Sequence, residues 1–564
     1  MNSKRNYKVR YITDIRQMMR SSVEIYGDHT AFLVKDDGVY KPISYKRFRS
    51  DVEALGTALW DLGYSGKRVV VIGENCYEWA LTYMATVCGL GVIVPVDKEL
   101  PAEEIENIIN LSQAALIIYS EAVAPKIEPI RGVVKIPFSQ LEGFIDKGAK
   151  LIANGEEKYL NAPIDPDILS ILLFTSGTTG VSKGVMLSQT NICFDLMQMC
   201  MMCYIDDKDI FLSVLPLHHT YECTCGYLCQ IYRGSTIAYC EGLRYITKNM
   251  QEAKVTVMLC VPVLIESMHK KIWQGAEKKG KAQTLKKAIK LNNALKKAGI
   301  DMSKKLFKDI HSTFGGHLRL LISGGAAVDP QIMAGLHDLG INAIQGYGLT
   351  ECAPIAALNR DHFSKDDSAG LAPPDGKLEI FNPGPDGTGE IRYKGPNVML
   401  GYYNAPELTS EVICDGWFYT GDLGYIDDDG FLHITGRKKN VIVTANGKNV
   451  FPEELETYLA RDPFVLESVI VGIMNERKRD YDIVAIVVPD EEKFTEEYGP
   501  GYTDQQVKAK LEAAVEEVNK IVPAYKRMTV TIVRREEFVK NTSRKIKRFG
   551  IIESVIDEYK KIAF

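Results

Sequence analysis

Residues 168–184 read Ile168-Leu-Ser-Ile-Leu-Leu-Phe-Thr-Ser-Gly-Thr-Thr-Gly-Val-Ser-Lys-Gly184. The apolar first half predicts a core strand, which feeds at Thr175 into a loop of glycines and hydroxyls that ends on a lysine. Small residues let several backbone N–H groups turn inward, hydroxyls add donors, and Lys183 adds a positive charge. That combination suits a polyphosphate. The register is not that of a Walker A loop: Gly177 to Lys183 is spaced wrongly, and Gly184 stands where a Ser or Thr would hold Mg2+. An ordinary NTPase or kinase is therefore disfavoured.

Outward from this stretch, short apolar runs recur and end in small or polar residues: RVVVIGEN (68–75), AALIIYS (114–120), VTVMLCVP (255–262) and LRLLISGG (318–325). Segments with helical periodicity lie between several of them, such as 45–62. Continuous apolar strands alternating with helices predict parallel sheets covered on both faces. From about Gly384 the texture changes to GEIRYKG, GYIDDDG and FLHITGR, alternating strands with Asp-Gly turns. After Val450 helix and strand return, with a helix opening at Pro452. The coarse reading is a large α/β body and a smaller α+β tail, with the break near 436–440.

A chain of 564 residues with 46% hydrophobic and 25% charged residues is of ordinary globular composition, and its length predicts several compact units. Lys+Arg 68 against Asp+Glu 73 gives −5, so no global basic field marks a nucleic-acid partner. Six of the twelve cysteines fall between Cys193 and Cys229, beside His218 and His219, but their spacing fits no closed zinc module. They read as reduced thiols behaving as small hydrophobes. The N-terminus lacks the apolar core of a signal peptide. The 18 charge-free residues Trp79 to Val96 contain Gly89, Gly91 and Pro95, and read as a buried helix, a tight turn and a core strand rather than a membrane span. A cytoplasmic location is expected.

Residues 270–308 hold thirteen Lys against Glu277 and Asp301 as the acids. Leu285, Ala288, Ile289, Asn292 and Leu295 share one helical face. The segment is a candidate for peripheral contact with anionic membrane at its inner face, the alternative being a solvated insertion.

Further blocks follow the phosphate loop in order: LPLHHTYE (215–222), SGGAAV (323–328), QGYGLTE (345–351), GEIRYKGPNVMLGYYNAPELT (389–409), DGWFYTGDLG (415–424) and GRKKNVIV (436–443). With 175–184 they resemble, over nearly the whole chain, the adenylate-forming acyl-CoA synthetase superfamily. The Pro-Leu-x-His-x-x-Glu form ending on Glu222, and the long insertion before SGGAAV, are similar to the long-chain fatty acid–CoA ligases. The resemblance implies an α/β fold: a large N-terminal body of parallel and mixed sheets flanked by helices, with a small β-barrel-like part, then a small mobile α+β domain. It divides the chain into an AMP-binding adenylation domain at 1–438 and a mobile C-terminal domain at 439–564.

The implied reaction joins a carboxylate to the α-phosphate of ATP, giving acyl-AMP and pyrophosphate, and then transfers the acyl group to a thiol. The first step brings two anions together, so it needs positive charge and alignment. By resemblance, Thr175 and Glu351 hold Mg2+, while Lys183 and the loop residues Thr175, Ser176, Gly177, Thr178, Thr179 and Gly180 manage the β- and γ-phosphates. Gly325 and Ala326 form the acyl-site turn. Gln345, Gly346, Tyr347, Gly348, Thr350 and Glu351 make the adenine and magnesium motif, with Tyr347 offering a flat face to adenine. Asp422 faces the ribose hydroxyls, supported by Arg437. His219 gates acyl entry or orients the carboxylate, with a structural buried role as the alternative.

Asn541-Thr-Ser-Arg-Lys-Ile-Lys-Arg548 replaces the usual Ser-Gly-Lys-Ile-x-Arg ending. Lys545 aligns with the catalytic lysine, and Arg544 in place of Gly leaves Lys547 as the second candidate. Lys439 aligns with the pivot about which the small domain swings, and Gly447 then permits close approach of the CoA pantetheine. The resulting expectation is a long-chain fatty acid–CoA ligase using ATP, Mg2+ and CoA. The alternatives are a ligase for aryl or medium-chain acids, one that loads an acyl carrier protein, or a catalytically dead membrane-associated binding protein.

Overall fold

The computed structural model describes residues 5–176, 182–540 and 546–563. The run before the phosphate loop is strand Leu169–Ser176, which turns back through Ser182–Ser188 as an antiparallel pair with Thr175 opposite Lys183. These two strands belong to a seven-stranded sheet in the order Gly401–Tyr402, Ser182–Ser188, Leu169–Ser176, Gly91–Val96, Lys67–Ile72, Leu116–Tyr119, Val134–Pro137. All pairs from Leu169–Ser176 to the far edge are parallel.

The apolar runs are continuous because both faces are covered. In Lys67–Ile72, Val69 and Val71 join the main core while Val70 and Ile72 join a second cluster behind the sheet, all four fully buried. Each such side chain contributes about 1.5–3 kcal/mol of hydrophobic stabilisation. An eight-stranded sheet repeats the pattern. Val257 and Leu259 face the same main core, Met258 and Cys260 a third cluster, and the parallel strands Val257–Cys260, Leu320–Ser323 and Ala343–Gly348 lie side by side. The two sheets thus share one core. Helices Ile15–Tyr26, Tyr45–Asp61, Tyr77–Ala85 and Gln189–Met202 contribute to it. Side chains of Asp14, Ser44 and Ser188 cap the first, second and fourth of these.

The stretch 79–96 resolves as anticipated: helix Tyr77–Ala85, a wide turn Thr86–Leu90 with Gly89 at φ +132°, and strand Gly91–Val96. No helix among the described residues is long and apolar enough to cross a membrane. The barrel-like part is a five-stranded antiparallel sheet built on Gly389–Lys394, Trp417–Ile426 and Leu432–Arg437.

Beyond it, Val465–Asn475, Asp480–Pro489 and Val530–Val533 make a three-stranded sheet. Ile483, Ala485 and Val487 face helices Pro452–Leu459 and Asp504–Ile521. Val484, Ile486 and Val488 face helix Ile551–Ala563. This α+β tail has cores of its own. The α/β class and the large-body, small-tail architecture agree with the sequence reading.

In the Lys-rich segment, helix Ala282–Lys297 forms, but Asn292 is fully buried and bonded to Ser303 Oγ at 2.9 Å. Leu285, Ala288, Ile289 and Leu295 are at least half covered on the same side. The apolar face therefore packs on the body, and the surface left for a membrane is the cationic one, with Leu291 exposed in its midst.

Candidate active site

Several motif blocks lie at strand ends of the two sheets: Thr175 near the end of Leu169–Ser176, Ser323 at the end of Leu320–Ser323 and Gly348 at the end of Ala343–Gly348. One junction joins strand Ser182–Ser188, at the end of the glycine-rich block, to the block 345–351. Strand Gly401–Tyr402 pairs with Ser182–Ser188, and Tyr403 N donates to Gly184 O at 2.7 Å. This lays the Tyr402 ring under Lys183, with Nζ 5.1 Å from the ring centroid. The Tyr402 hydroxyl then donates to Glu351 Oε1 at 2.8 Å, and Met399 N holds the Glu351 carbonyl at 2.8 Å. Burial first, and then Glu351, pushes the Tyr402 phenol far above its usual range, so it stays a donor. Thr175, Lys183, Tyr402 and Glu351 are thus linked in one chain of contacts. Tyr402 is the member the sequence reading missed, because nothing in GYYN separates it from its aromatic neighbour.

A second junction joins the adenine motif to the small sheet. Tyr347 OH donates to Asp422 Oδ2 at 2.6 Å, and Arg437 Nε pairs with Asp422 Oδ1 at 2.8 Å. Asp422 is buried and sits opposite Arg437 in the antiparallel pair Trp417–Ile426 with Leu432–Arg437. Burial, then Asp422, raises the Tyr347 phenol well above its ordinary value. Gly348 is needed by close approach, since a Cβ there would lie 2.1 Å from Pro354 O.

The turn Ser323–Val328, which the resemblance assigns to the acyl site, follows strand Leu320–Ser323. Gly325 has φ +87°, and Gly325 and Ala326 are exposed. Gln345 braces this turn: its Oε1 accepts from Val328 N at 2.8 Å and its Nε2 donates to Asp366 O at 2.7 Å. Both ends of its amide are thus engaged by protein. Gly346 sits beside it in strand Ala343–Gly348, and Thr350 opens the short turn that carries Glu351. His219 is part-buried just before the wide π-helical segment Tyr221–Leu228, its ring 4.1 Å from that of His218. His218 Nε2 approaches Asp97 Oδ2 at 3.4 Å, and burial, aided by His219, holds its titration well below the usual range.

Two further site residues lie on the segment that follows strand Leu432–Arg437. Lys439 is exposed in the turn Lys438–Asn440, and Gly447 forms the tip of the hairpin Ile442–Val443/Asn449–Val450 at φ +70°. Gly177, Thr178, Thr179, Gly180 and Lys545 lie outside the described residues, as does the side chain of Ser176. A hydroxyl and a carboxylate, Thr175 and Glu351, are hard oxygen donors that suit Mg2+ held mainly by phosphate and water. No cluster of three or more His, Cys, Asp or Glu that could cage an ion occurs among the described residues.

Family models match residues 19–403 as an AMP-binding enzyme and 439–562 as an AMP-binding enzyme C-terminal domain. The chain belongs to the AMP-binding enzyme family. Membership places it among the adenylate-forming acyl-CoA ligases, with ATP, Mg2+ and CoA as reactants. It is 26% identical to the long-chain-fatty-acid–CoA ligase FadD15 of Mycobacterium bovis over 93% of either chain. It is 29% identical to long-chain-fatty-acid–CoA ligase 1 of Cavia porcellus, over 82% of this chain and 71% of that one. Its fold matches ATP-bound MatB of Rhodopseudomonas palustris with a TM-score of 0.76, covering 97% of this chain and 99% of that one at 22% identity. The last likeness is one of fold.

Proposed function

We propose that this AMP-binding enzyme activates a long-chain fatty acid. A carboxylate oxygen attacks the α-phosphorus of ATP, the bond to the β-phosphate oxygen breaks, and pyrophosphate leaves. The CoA sulfur then attacks the acyl carbon, and AMP leaves. The observation that carries this reading is the Lys183–Tyr402–Glu351 junction. It sets a cation and a carboxylate around one aromatic ring at the mouth of the phosphate loop.

In this reading Lys183 and the loop hold the β- and γ-phosphates, Tyr347 lies against adenine, and Asp422 with Arg437 takes the ribose. Thr175 and Glu351 would hold Mg2+, which when bound offsets phosphate charge. Lys545 bridges carboxylate and α-phosphate in the first step. The domain 439–564 then turns about Lys439 to bring Gly447 towards the thiol. Chain length is supported by the names of the two relatives, by Glu222 and by the insertion that contains Ala282–Lys297. The cationic outer face of that helix is suited to anionic membrane, from which a long-chain acid must be drawn.

The test is pyrophosphate release with palmitate, cinnamate and acetate, each with and without CoA. Palmitate should exceed the others by about tenfold or more in kcat/KM, equivalent to about 1.4 kcal/mol of transition-state binding. The reverse order would overturn the long-chain reading. Turnover that needs an acyl carrier protein instead of CoA would overturn the acceptor.

A further inference from the structure

Three polar side chains stand in line beneath the segment that carries His218, His219 and Tyr221. Asn75 Nδ2 donates to Ser213 Oγ at 3.0 Å and to Leu215 O at 2.7 Å, while its Oδ1 accepts from Leu217 N at 3.1 Å. Ser213 Oγ donates in turn to Glu222 Oε1 at 2.6 Å. Glu222 is 0% exposed, and its other oxygen, Oε2, has no hydrogen-bond partner among the described residues. Gly226 closes over the carboxyl so tightly that a Cβ there would lie 2.8 Å from Glu222 Cδ. The helix that carries Glu222 and Gly226, Tyr221–Leu228, has the wide π form that is rare and concentrates at functional sites.

A carboxylate with one side-chain hydrogen bond and no cation beside it is costly to keep ionised in such a place. The titratable groups that face it are Tyr221, Cys223 and Cys225 on its own helix, Cys260 from strand Val257–Cys260 and Tyr239 from strand Thr236–Tyr239. Burial pushes every one of these upward, so all are neutral at pH 7. Burial also pushes Glu222 up to about 8, against opposing hydrogen bonds from Ser213 and the Val214 main chain.

We propose that Glu222, as the neutral acid, is a positioning residue of the acyl site: through Ser213 and Asn75 it fixes the segment 213–222, and with it His219 and Tyr221. Tyr221 transmits the position. Its hydroxyl donates to Ile322 O at 2.8 Å, and its ring lies against Gly324, where a Cβ would come within 2.8 Å of it. The clamp therefore reaches the turn Ser323–Val328 directly. The inference rests on the reading that this turn borders the substrate carboxyl.

Ionisation would leave a bare charge under the helix, relieved by displacing the segment. The sign follows from a folded-state titration raised above the ordinary 4.5. The stabilising contribution is complete below that value and is lost as pH rises through about 8.

The experiment compares wild type, Glu222→Gln and Glu222→Leu in two readouts. The first is kcat/KM for palmitate by pyrophosphate release between about pH 6 and 9.5. The second is the melting temperature between about pH 5 and 9. Glu222→Gln should stay within about threefold of wild type at pH 7 and lack the alkaline loss, which in wild type reaches about fivefold by pH 9. Glu222→Leu should lose about tenfold or more through KM for the acid, with KM for ATP unmoved. The melting point of wild type should fall relative to that of Glu222→Gln between about pH 5 and 8 and then run parallel to it. The proposal is overturned if Glu222→Gln loses more than about tenfold at pH 7, if it keeps the alkaline limb, or if the melting difference is flat with pH. Melting needs no turnover, so an enzyme that ignores palmitate would sink the substrate reading while this clamp is still judged.

Discussion

Arg461, just beyond helix Pro452–Leu459, is ion-paired with Asp329, Nε to Oδ2 at 2.7 Å. The pair joins the segment matched by the C-terminal family model to the one matched by the AMP-binding model. Asp329 also accepts from Gln331 N and so caps helix Pro330–Asp338, directly after the acyl-site turn. The tail is thereby paired to the helix that follows the turn Ser323–Val328, which the proposed function places at the acyl site. The tip of the hairpin at Gly447, meanwhile, is exposed, and among the described residues nothing lies within 4 Å of the place a Cβ would occupy.

On the proposed function, an arrangement with Arg461 docked and Gly447 exposed suits the first half-reaction better than the second. Arg461→Gln should therefore slow pyrophosphate release and leave conversion of supplied acyl-AMP and CoA unchanged. The change is made at Arg461 because altering Asp329 would also remove a helix cap. Asp329 is buried and Arg461 partly exposed, so a loss of about 1 kcal/mol, roughly fivefold, is expected. Equal slowing of both half-reactions would show that the pair serves stability alone.

Tyr402→Phe tests the junction at the phosphate loop. The variant keeps the ring under Lys183 and removes only the hydroxyl that holds Glu351 Oε1. A hydrogen bond to a charged group is worth about 1.5–3 kcal/mol, so adenylation should fall by about tenfold or more. The loss should appear as a higher Mg2+ requirement, measured by titrating Mg2+ at fixed ATP. An unchanged Mg2+ curve would detach Glu351 from the metal.

Legibility differed by level. Val69 to Ile72 and Ile483 to Val488 announce strands covered on both faces, since an unbroken apolar run has no other economical use in a parallel or buried sheet. Gly89 and Gly91 mark the turn inside 79–96 because a bilayer span does not need them. The clamp under Glu222 was not legible in the same way. Asn75 and Ser213 are 138 residues apart, and no periodicity spans that interval. The Lys-rich helix shows a related limit. Its heptad-like spacing fixes that Leu285, Ala288, Ile289, Asn292 and Leu295 share a face, but not whether protein or lipid covers it. The buried Asn292–Ser303 bond decides for protein.

That packing reshapes the membrane test. Lys296 donates to His337 O at 2.8 Å and belongs to the fold, whereas Lys286, Lys287, Lys290 and Lys297 are exposed. Changing these four to Gln should weaken sedimentation with anionic vesicles at low salt by about tenfold or more, at about 1 kcal/mol for each lysine near the surface. The effect should fade towards physiological salt. Soluble palmitate should be activated at the wild-type rate. Unchanged vesicle binding would make the segment a solvated insertion.

In the function proposed above, the division of labour between the half-reactions turns on Lys545. The residue lies outside those described, but its flanks are placed. Lys540 and Ile546 form an antiparallel bridge, and Arg548 is paired with Glu456. Neighbouring Glu453 accepts from Asn440 at 2.6 Å, one residue from Lys439. The base of the Lys545 segment and the pivot turn are therefore tied to the same helix, Pro452–Leu459, and should move as one body. Lys545→Ala should cripple acyl-AMP formation, because only that step sets a free carboxylate against a polyphosphate. Loss of such a charge costs about 3 kcal/mol, roughly a hundredfold in rate. Thioester formation from supplied acyl-AMP should be spared, since its leaving group is already good. Lys439→Pro should do the reverse, by restricting the backbone at the pivot and leaving adenylation intact. Lys547→Ala, at an exposed position whose main chain bonds Val539 O at 2.8 Å, is the control. If Lys547→Ala abolishes adenylation and Lys545→Ala does not, the catalytic lysine is two residues further on. If Lys545→Ala and Lys439→Pro each slow both half-reactions alike, the two steps do not depend on a turn of the small domain.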